Sequence, residues 1–139
     1  MQQTTTKINP TSLANILGQP LELPCGVVLK NRMAKAAMSD SLGNGRGNAT
    51  DAQSRLYERW AQGGVALSLI GEVQGTPHYP EKPGNLVLNP HSDTQALQDL
   101  ARRGSIHGAH LWPQLGHAGA LSYLPVSKPK GPSALDLAE

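Results

Sequence analysis

Thr50-Asp51-Ala52-Gln53-Ser54-Arg55-Leu56-Tyr57-Glu58-Arg59-Trp60-Ala61-Gln62-Gly63-Gly64-Val65-Ala66-Leu67-Ser68-Leu69-Ile70 is the stretch that decides the fold class. Its first four residues spell a capping box: the Thr50 hydroxyl accepts the Gln53 amide proton while the Gln53 side chain reaches back to the cap. Ala52, Leu56 and Trp60 recur four apart and predict one apolar stripe along a helix. Gly63-Gly64 ends that helix, because glycine takes the left-handed cap without a Cβ clash. The apolar run 65–70 then suits a parallel strand covered on both faces. A capped helix that feeds such a strand is half of a βαβ unit.

The same grammar extends outward. Upstream, Ser41-Leu42-Gly43-Asn44-Gly45-Arg46-Gly47-Asn48 is glycine-rich. It could cradle a phosphate or serve as a flexible connection. The glycines do not follow G-x-x-x-x-G-K, which favours the connection. Before it, residues 33–38 read as a buried strand, weak in propensity because of its alanines and Lys35. Leu21 to Leu23 and Val27 to Leu29 flank Pro24-Cys25-Gly26 and predict a β-hairpin. Residues 1–12 are expected to be loose. Downstream, residues 74–91 carry Pro77, Pro80, Pro83 and Pro90 and predict a long surface loop. Ser92-Asp93-Thr94-Gln95 is a second capping box, opening a helix that packs Ala96, Leu97, Leu100 and Ala101 and closes at Gly104. Residues 109–115 predict a third strand, in which Pro113 removes a ladder donor. From Gly116 to Pro132 the chain reads as loop, and residues 133–139 as the opening of a helix or a turn. The order is hairpin, then β-loop-α-β-loop-α-β, an α/β pattern with right-handed crossovers. Three parallel strands do not close a barrel, so the chain is expected to be the first part of something larger.

Composition narrows the function. The 139 residues hold 12 Lys plus Arg against 10 Asp plus Glu, a net charge of +2 that gives no charge-driven nucleic-acid or membrane surface. Hydrophobics are 38% with no Phe, so the core must come from Leu, Ala and Val, and coiled-coil, collagen and mucin classes are excluded. Cys25 stands alone, which excludes an internal disulfide and favours a reducing, cytoplasmic setting. No neighbouring base or C-x-x-C marks Cys25 as reactive. Residues 1–6 lack the apolar core of a secretory signal, and no run reaches the roughly 18 apolar residues of a membrane span. His107, His110 and His117 cluster near the third strand, but His-x-x-His in a turn and strand is poor ligand geometry and no acidic residue completes it, so no metal is expected. Ser122 and Ser133 lack a nucleophile elbow. Trp60 and Trp112 are expected to fill core.

Five segments, in order and in register, resemble the Old Yellow Enzyme family of FMN-dependent NADH:flavin oxidoreductases and ene-reductases. Lys30-Asn31-Arg32-Met33-Ala34-Lys35-Ala36-Ala37-Met38-Ser39 resembles the first barrel strand, and Tyr57-Glu58-Arg59-Trp60-Ala61-Gln62-Gly63-Gly64-Val65 the helix before the second. Leu69-Ile70-Gly71-Glu72-Val73 is similar to the end of that strand, Gln114-Leu115-Gly116-His117-Ala118-Gly119 to the family's Q-L-x-H-x-G, and Pro132-Ser133-Ala134 to a downstream P-S-A. The resemblance implies that residues 1–139 are part of an FMN-binding TIM (β/α)₈ barrel, holding the N-terminal hairpin and the first three βα units and stopping after the third strand. Such barrels take about 250 residues. It implies that Ala36, Ala37, Met38 and Ser39 contact the isoalloxazine, with the Ser39 hydroxyl on the flavin C4 carbonyl. Val73 would lend backbone groups and Gln114 would bond the pyrimidine edge. The family's catalytic groups and phosphate site come from later strands, so no catalytic residue is assigned here. Two positions depart from the family pattern: Ala120 stands where the motif often continues with Arg, and Pro113 replaces an ordinary strand residue. The implied activity passes hydride from NADH or NADPH through flavin to a small-molecule acceptor, an activated alkene or similar. The alternative is a non-catalytic half-barrel that pairs with a missing C-terminal half or with itself through its open edges.

Overall fold

The computed structural model describes residues 10–131. Helix α1 (Pro10–Leu17) leads into an antiparallel ribbon of β1 (Leu21–Glu22) and β2 (Val28–Leu29), with Leu21 opposite Leu29. The ribbon turns at Pro24-Cys25-Gly26, where Gly26 takes φ 84° and donates its N–H to the Leu23 carbonyl at 2.8 Å. Cys25 is exposed in that turn. A second sheet is wholly parallel and contains β3 (Ala34–Lys35), β4 (Leu67–Gln74), β5 (Leu86–Val87) and β6 (His110–Gly116). Helix α2 (Asp51–Gln62) joins β3 to β4, and α3 (Thr94–Gly104) joins β5 to β6. Strand β6 runs along one flank of β4. On the other flank β3 pairs with the start of β4 and β5 with its end.

Strand β4 is buried at every position except Leu69 and Glu72. On one face Tyr57, Ile70, Val73, Leu86 and Leu100 form the core against the helices. On the other, Leu67 and Ala66 pack with Leu29 of the ribbon, and Leu21, Leu23, Val27 and Trp112 close around them. The helices are tied to each other by Arg103, which pairs with Asp51 at 2.7 Å and Glu58 at 2.8 Å. Those two carboxylates, by accepting its N–H groups, hold the guanidinium firmly protonated.

A polar network anchors β3 to α2. The Asp40 carboxylate accepts both-oxygen contacts from Gln53 Nε2 at 2.9 and 3.0 Å, the Tyr57 hydroxyl at 3.0 Å and the Leu42 N–H at 2.9 Å. Lys35 Nζ donates to the Leu69 carbonyl at 3.0 Å and lies 5.1 Å from the Tyr57 ring centre. Burial pushes the Lys35 ammonium down, against the opposing charge of Asp40. Burial, with the neighbouring Asp40 charge and hydrogen bond, pushes the Tyr57 phenol well up.

Several expectations are corrected. Helix α1 starts at Pro10, so residues 10–12 are not loose: proline lacks the donor that a first helical residue leaves unused anyway. Residues 1–9 and 132–139, and with them the P-S-A segment and the final helix or turn, lie outside the described residues. Of residues 33–38 only Lys35 is buried, because β3 is an edge strand with one described neighbour. Gln53 does not complete the capping box. Thr50 accepts from Gln53 N as expected, but the Gln53 amide is taken by Asp40, a stronger acceptor. The buried face of α2 is Gln53, Ser54, Tyr57 and Ala61, one residue round from the expected stripe, and Ala52 is exposed. The helix stops at Gly63-Gly64 as expected, and of the pair it is Gly64 that takes the left-handed conformation, at φ 94°. Strand β4 extends to Gln74, and residues 74–91 are not all surface: β5 lies inside them and is buried. The cap of α3 is Asp93, accepting from Ala96 N at 3.0 Å, since the Ser92 hydroxyl is spent on the Val87 carbonyl. Ala101 is exposed. Pro113 sits in β6 without costing a ladder bond. His110 N–H donates to the Ala66 carbonyl at 2.8 Å, and strand alternation turns the Pro113 nitrogen to the flank that is open among the described residues.

The glycine-rich loop is not a flexible connection. Gly43 N–H donates to Gly84 O at 2.9 Å and Val87 N–H to Gly47 O at 2.8 Å, so the loop is laid against β5 and the residues before it. A Cβ at Gly43 would stand 2.5 Å from Gly84 O. Gly43→Ala should therefore lower stability by about 1–3 kcal/mol in urea unfolding. Gly75→Ala, where a Cβ meets nothing within 4 Å, is the near-neutral control. Tyr57→Phe should cost about 1–3 kcal/mol at neutral pH by removing a donor from Asp40. Because the folded phenol titrates above its ordinary 10.0, its contribution is complete below that value and fades as pH rises beyond it. The gap between wild type and Tyr57→Phe should thus narrow in unfolding curves taken above pH 10.0.

Candidate functional site

Parallel strands aim their C-terminal ends at one edge of the sheet, and there the ends of β3, β4 and β6 converge on Gly71. A Cβ on this residue would stand 2.9 Å from Ala37 Cβ, 3.0 Å from Gln114 Oε1 and 3.2 Å from Met38 N. Glycine is what lets the three segments close. Ser39 forms an isolated parallel bridge with Gly71. The Gln114 amide is exposed, on the strand face that also carries His110 and Trp112. Leu111 and Pro113 point the other way, into an apolar space against α3 that also contains Val73 and Leu100.

Of the six residues expected to form the site, Ala37, Met38, Ser39 and Gln114 are brought together around Gly71. Ala36 precedes them on the strand and is exposed. Val73 is fully buried with its side chain turned to the helices, leaving its backbone as what it can offer the other face. The Ser39 hydroxyl donates to the Glu81 carboxylate, which arrives from the loop before β5.

Other residues at this edge carried little sequence signal. The Glu72 carboxylate accepts from Gln74 Nε2 at 2.8 Å and lies 3.2 Å from where a Gly116 Cβ would be. Gln74 is fully buried, and its Oε1 has no partner among the described residues. An acid and an amide in an apolar strand were visible in the sequence. Glu81, 42 positions from Ser39, was not. The Tyr79 and His117 rings lie 5.0 Å apart, His117 Nδ1 accepts the Gly119 N–H at 2.9 Å, and Lys130 Nζ is 5.7 Å from the Tyr79 ring centre. His107 occupies a turn and His110 packs edge-on to Trp112. Among the described residues no three His, Cys, Asp or Glu side chains could hold a metal. No helix among them is long and apolar enough to cross a membrane. Chemically, the site offers an exposed amide with a donor and an acceptor, backbone edges around a glycine, and two carboxylates.

No family model matches the chain. The NADH-dependent flavin oxidoreductase iliE of Hypocrea jecorina (strain QM6a) is 32% identical over 105 residues, covering 72% of this chain and 26% of that protein. The chain thus spans about a quarter of the length of this curated relative. The old yellow enzyme homologue from Zymomonas mobilis superposes with a TM-score of 0.76 at 18% identity, over 86% of this chain and 33% of its own. Morphinone reductase, solved in complex with tetrahydroNAD, gives 0.73 at 20% identity, over 88% and 34%. These two likenesses establish that the chain shares part of a TIM-barrel fold, and the curated relative adds likeness in sequence. In sequence the chain is similar to a curated NADH-dependent flavin oxidoreductase, and in fold to members of the Old Yellow Enzyme family.

Proposed function

We propose that this chain supplies the flavin-facing edge of the first three strands of an FMN-dependent oxidoreductase. Residues 1–139 would act as part of one barrel domain, with the β1–β2 ribbon plugging its N-terminal end. The observation that carries this reading is the convergence of Ala37, Met38 and Gln114 on a glycine that leaves no room for a side chain. That cradle fits the edge of a flat, heteroatom-rimmed ring. Bound flavin supplies the hydride-transfer chemistry between reduced nicotinamide, NADH or NADPH, and an acceptor such as an activated alkene. The chain's own residues hold and orient it. Gln114 offers a donor and an acceptor to the pyrimidine edge. Ala36, Ala37 and Met38 present strand backbone to the ring, and Val73 contributes backbone groups from β4. The Ser39 hydroxyl reaches the C4 carbonyl only by giving up Glu81, so Glu81 sets how strongly that carbonyl is polarised. The name of the fungal relative and the nicotinamide analogue bound to morphinone reductase support the reductant.

Strands β3 and β6 each have one flank unpaired among the described residues. The remaining strands of a barrel, or a second copy of the chain, would pair there. A net charge of +2 gives no reason to expect nucleic acid.

The test is an FMN titration of the purified chain, followed by flavin fluorescence and by gel filtration. Saturable, near-stoichiometric binding to a compact species is expected. Gln114→Ala should weaken it about tenfold, about 1.4 kcal/mol, with the urea midpoint unmoved because the side chain is exposed. A folded chain that ignores FMN, or a Gln114→Ala variant that binds as wild type does, would overturn the reading.

A further inference from the structure

The glycine-rich loop, once shown to be fixed, forms one wall of a second cavity that the flavin reading does not use. The cavity is half-open, measures about 230 Å³ and is lined by Arg46 and Asn48 from that loop and by Pro77, Val87, Asn89, His91 and Ser92 from the segment between β4 and α3. None of the six expected flavin-site residues lines it. Both loops follow the C-terminal ends of parallel strands, so the cavity opens on the same edge of the sheet as the site around Gly71.

Its polar groups are sorted by sign. Its two side-chain amide oxygens already hold partners: Asn48 Oδ1 takes the Asp93 N–H at 3.0 Å and Asn89 Oδ1 takes the His91 N–H at 2.8 Å. The Ser92 hydroxyl donates to the Val87 carbonyl at 2.7 Å and accepts the Asn89 N–H at 3.0 Å. These bonds also fix the two amides with their NH₂ groups as the ends left over. Among the described residues no carboxylate lines the cavity and none pairs with Arg46. What remains is a guanidinium, two amide NH₂ groups and an imidazole. A half-open cavity rich in donors and poor in acceptors selects an oxyanion. The loop is held ready for it, because Asn44 Oδ1 accepts the Arg46 N–H at 2.8 Å and the Asn48 N–H at 3.1 Å.

We propose that this cavity is a binding site for a phosphate- or carboxylate-bearing small molecule, gripped by Arg46 and His91 and oriented by Asn48 and Asn89. The site is independent of flavin and survives if the flavin reading fails. The probe is inorganic phosphate, with acetate in a parallel titration and chloride as the reference at equal ionic strength. Amide shifts of the nitrogen-labelled chain and the urea midpoint are read together. Phosphate should move the amides around residues 46–48 and 89–92 saturably and raise the urea midpoint above chloride. Arg46→Gln and His91→Gln should each weaken the effect about tenfold, while Arg32→Gln, outside the cavity, should not. A stronger effect of phosphate names a phosphoryl ligand, and a stronger effect of acetate a carboxylate; both support the site. Equal effects of phosphate, acetate and chloride, or an effect that persists undiminished in Arg46→Gln and His91→Gln, would overturn it. Both positions lie on the surface of fixed loops and His91 is exposed, so circular dichroism is expected to show both variants folded.

Discussion

Burial of β4 on both faces and along both flanks is the constraint from which the rest of the structure follows. A strand with no solvent side must have every backbone group paired and every side chain packed. Helices α2 and α3 therefore have to cover one face, the β1–β2 ribbon the other, and parallel neighbours have to line both flanks. Parallel neighbours in turn require crossovers, which is why helices separate the strands. Polar residues that enter such a strand have to be satisfied locally. From β3, Lys35 meets the Leu69 carbonyl, and in β4 Gln74 meets Glu72, while Ser68 Oγ and Gln74 Oε1 stay buried without a partner among the described residues. The unsatisfied Gln74 oxygen lies toward the functional end of the strand, where Glu72 stands beside it.

Strand β3 is too short to hold itself in place by ladder bonds. Two residues pair with β4 in register, and side chains make up the difference. Lys35 is buried at one end of the segment 36–39 and fastened to Leu69, and Asp40 at the other end is fastened to Gln53, Tyr57 and the Leu42 amide. Between these two anchors the chain carries small or exposed residues. The segment is thus suspended across the sheet edge with its position set and its surface left uncovered. Hydrogen bonds to charged groups contribute about 1.5–3 kcal/mol each, enough to replace the missing strand pairing.

The sequence made periodic features readable and contacts between distant residues unreadable. The apolar run at Leu67 to Ile70, the stop at Gly63-Gly64 and the hairpin at Pro24-Cys25-Gly26 are local patterns with local causes, and they appear where expected. The face of α2 was misjudged by one position because Gln53 and Ser54 are polar yet buried, and it is Asp40 that draws Gln53 inward. Strand β5 is two residues long and wholly dependent on Gln74 and Gly47 for its backbone bonds, so nothing in Leu86-Val87 alone announces it. At the candidate site, Met38, Ser39 and Gln114 came from likeness of motif. Gly71 and Glu81 came only from the folded chain, since the space left by a missing Cβ and a hydroxyl reaching across to a loop have no signature in sequence.

The placement of the site at Gly71 and Glu72 follows from how the ladders are interrupted. On one flank of β4, β3 pairs with Leu67 and Ser68 and β5 with Val73 and Gln74, leaving a gap that only the Ser39 bridge to Gly71 crosses. On the other flank, pairing with β6 is regular up to Ile70 and resumes at Val73, with the register shifted between them. The first interruption spans Leu69 to Glu72 and the second Gly71 and Glu72, so the two overlap at Gly71 and Glu72. Irregularities of this kind end pairing and re-aim the chain, and they recur beside active sites. Lys35 and Asn85 take the carbonyls of Leu69 and Glu72 with their side chains. The stretch of this central strand least engaged in regular pairing with neighbouring strands is therefore the one that faces Gln114 and Met38. Gly43 against Gly84 belongs to the same arrangement: the 2.9 Å backbone bond ties the loop before α2 to the residues before β5, and no side chain at Gly43 would fit between them, so β5 meets β4 only at its end.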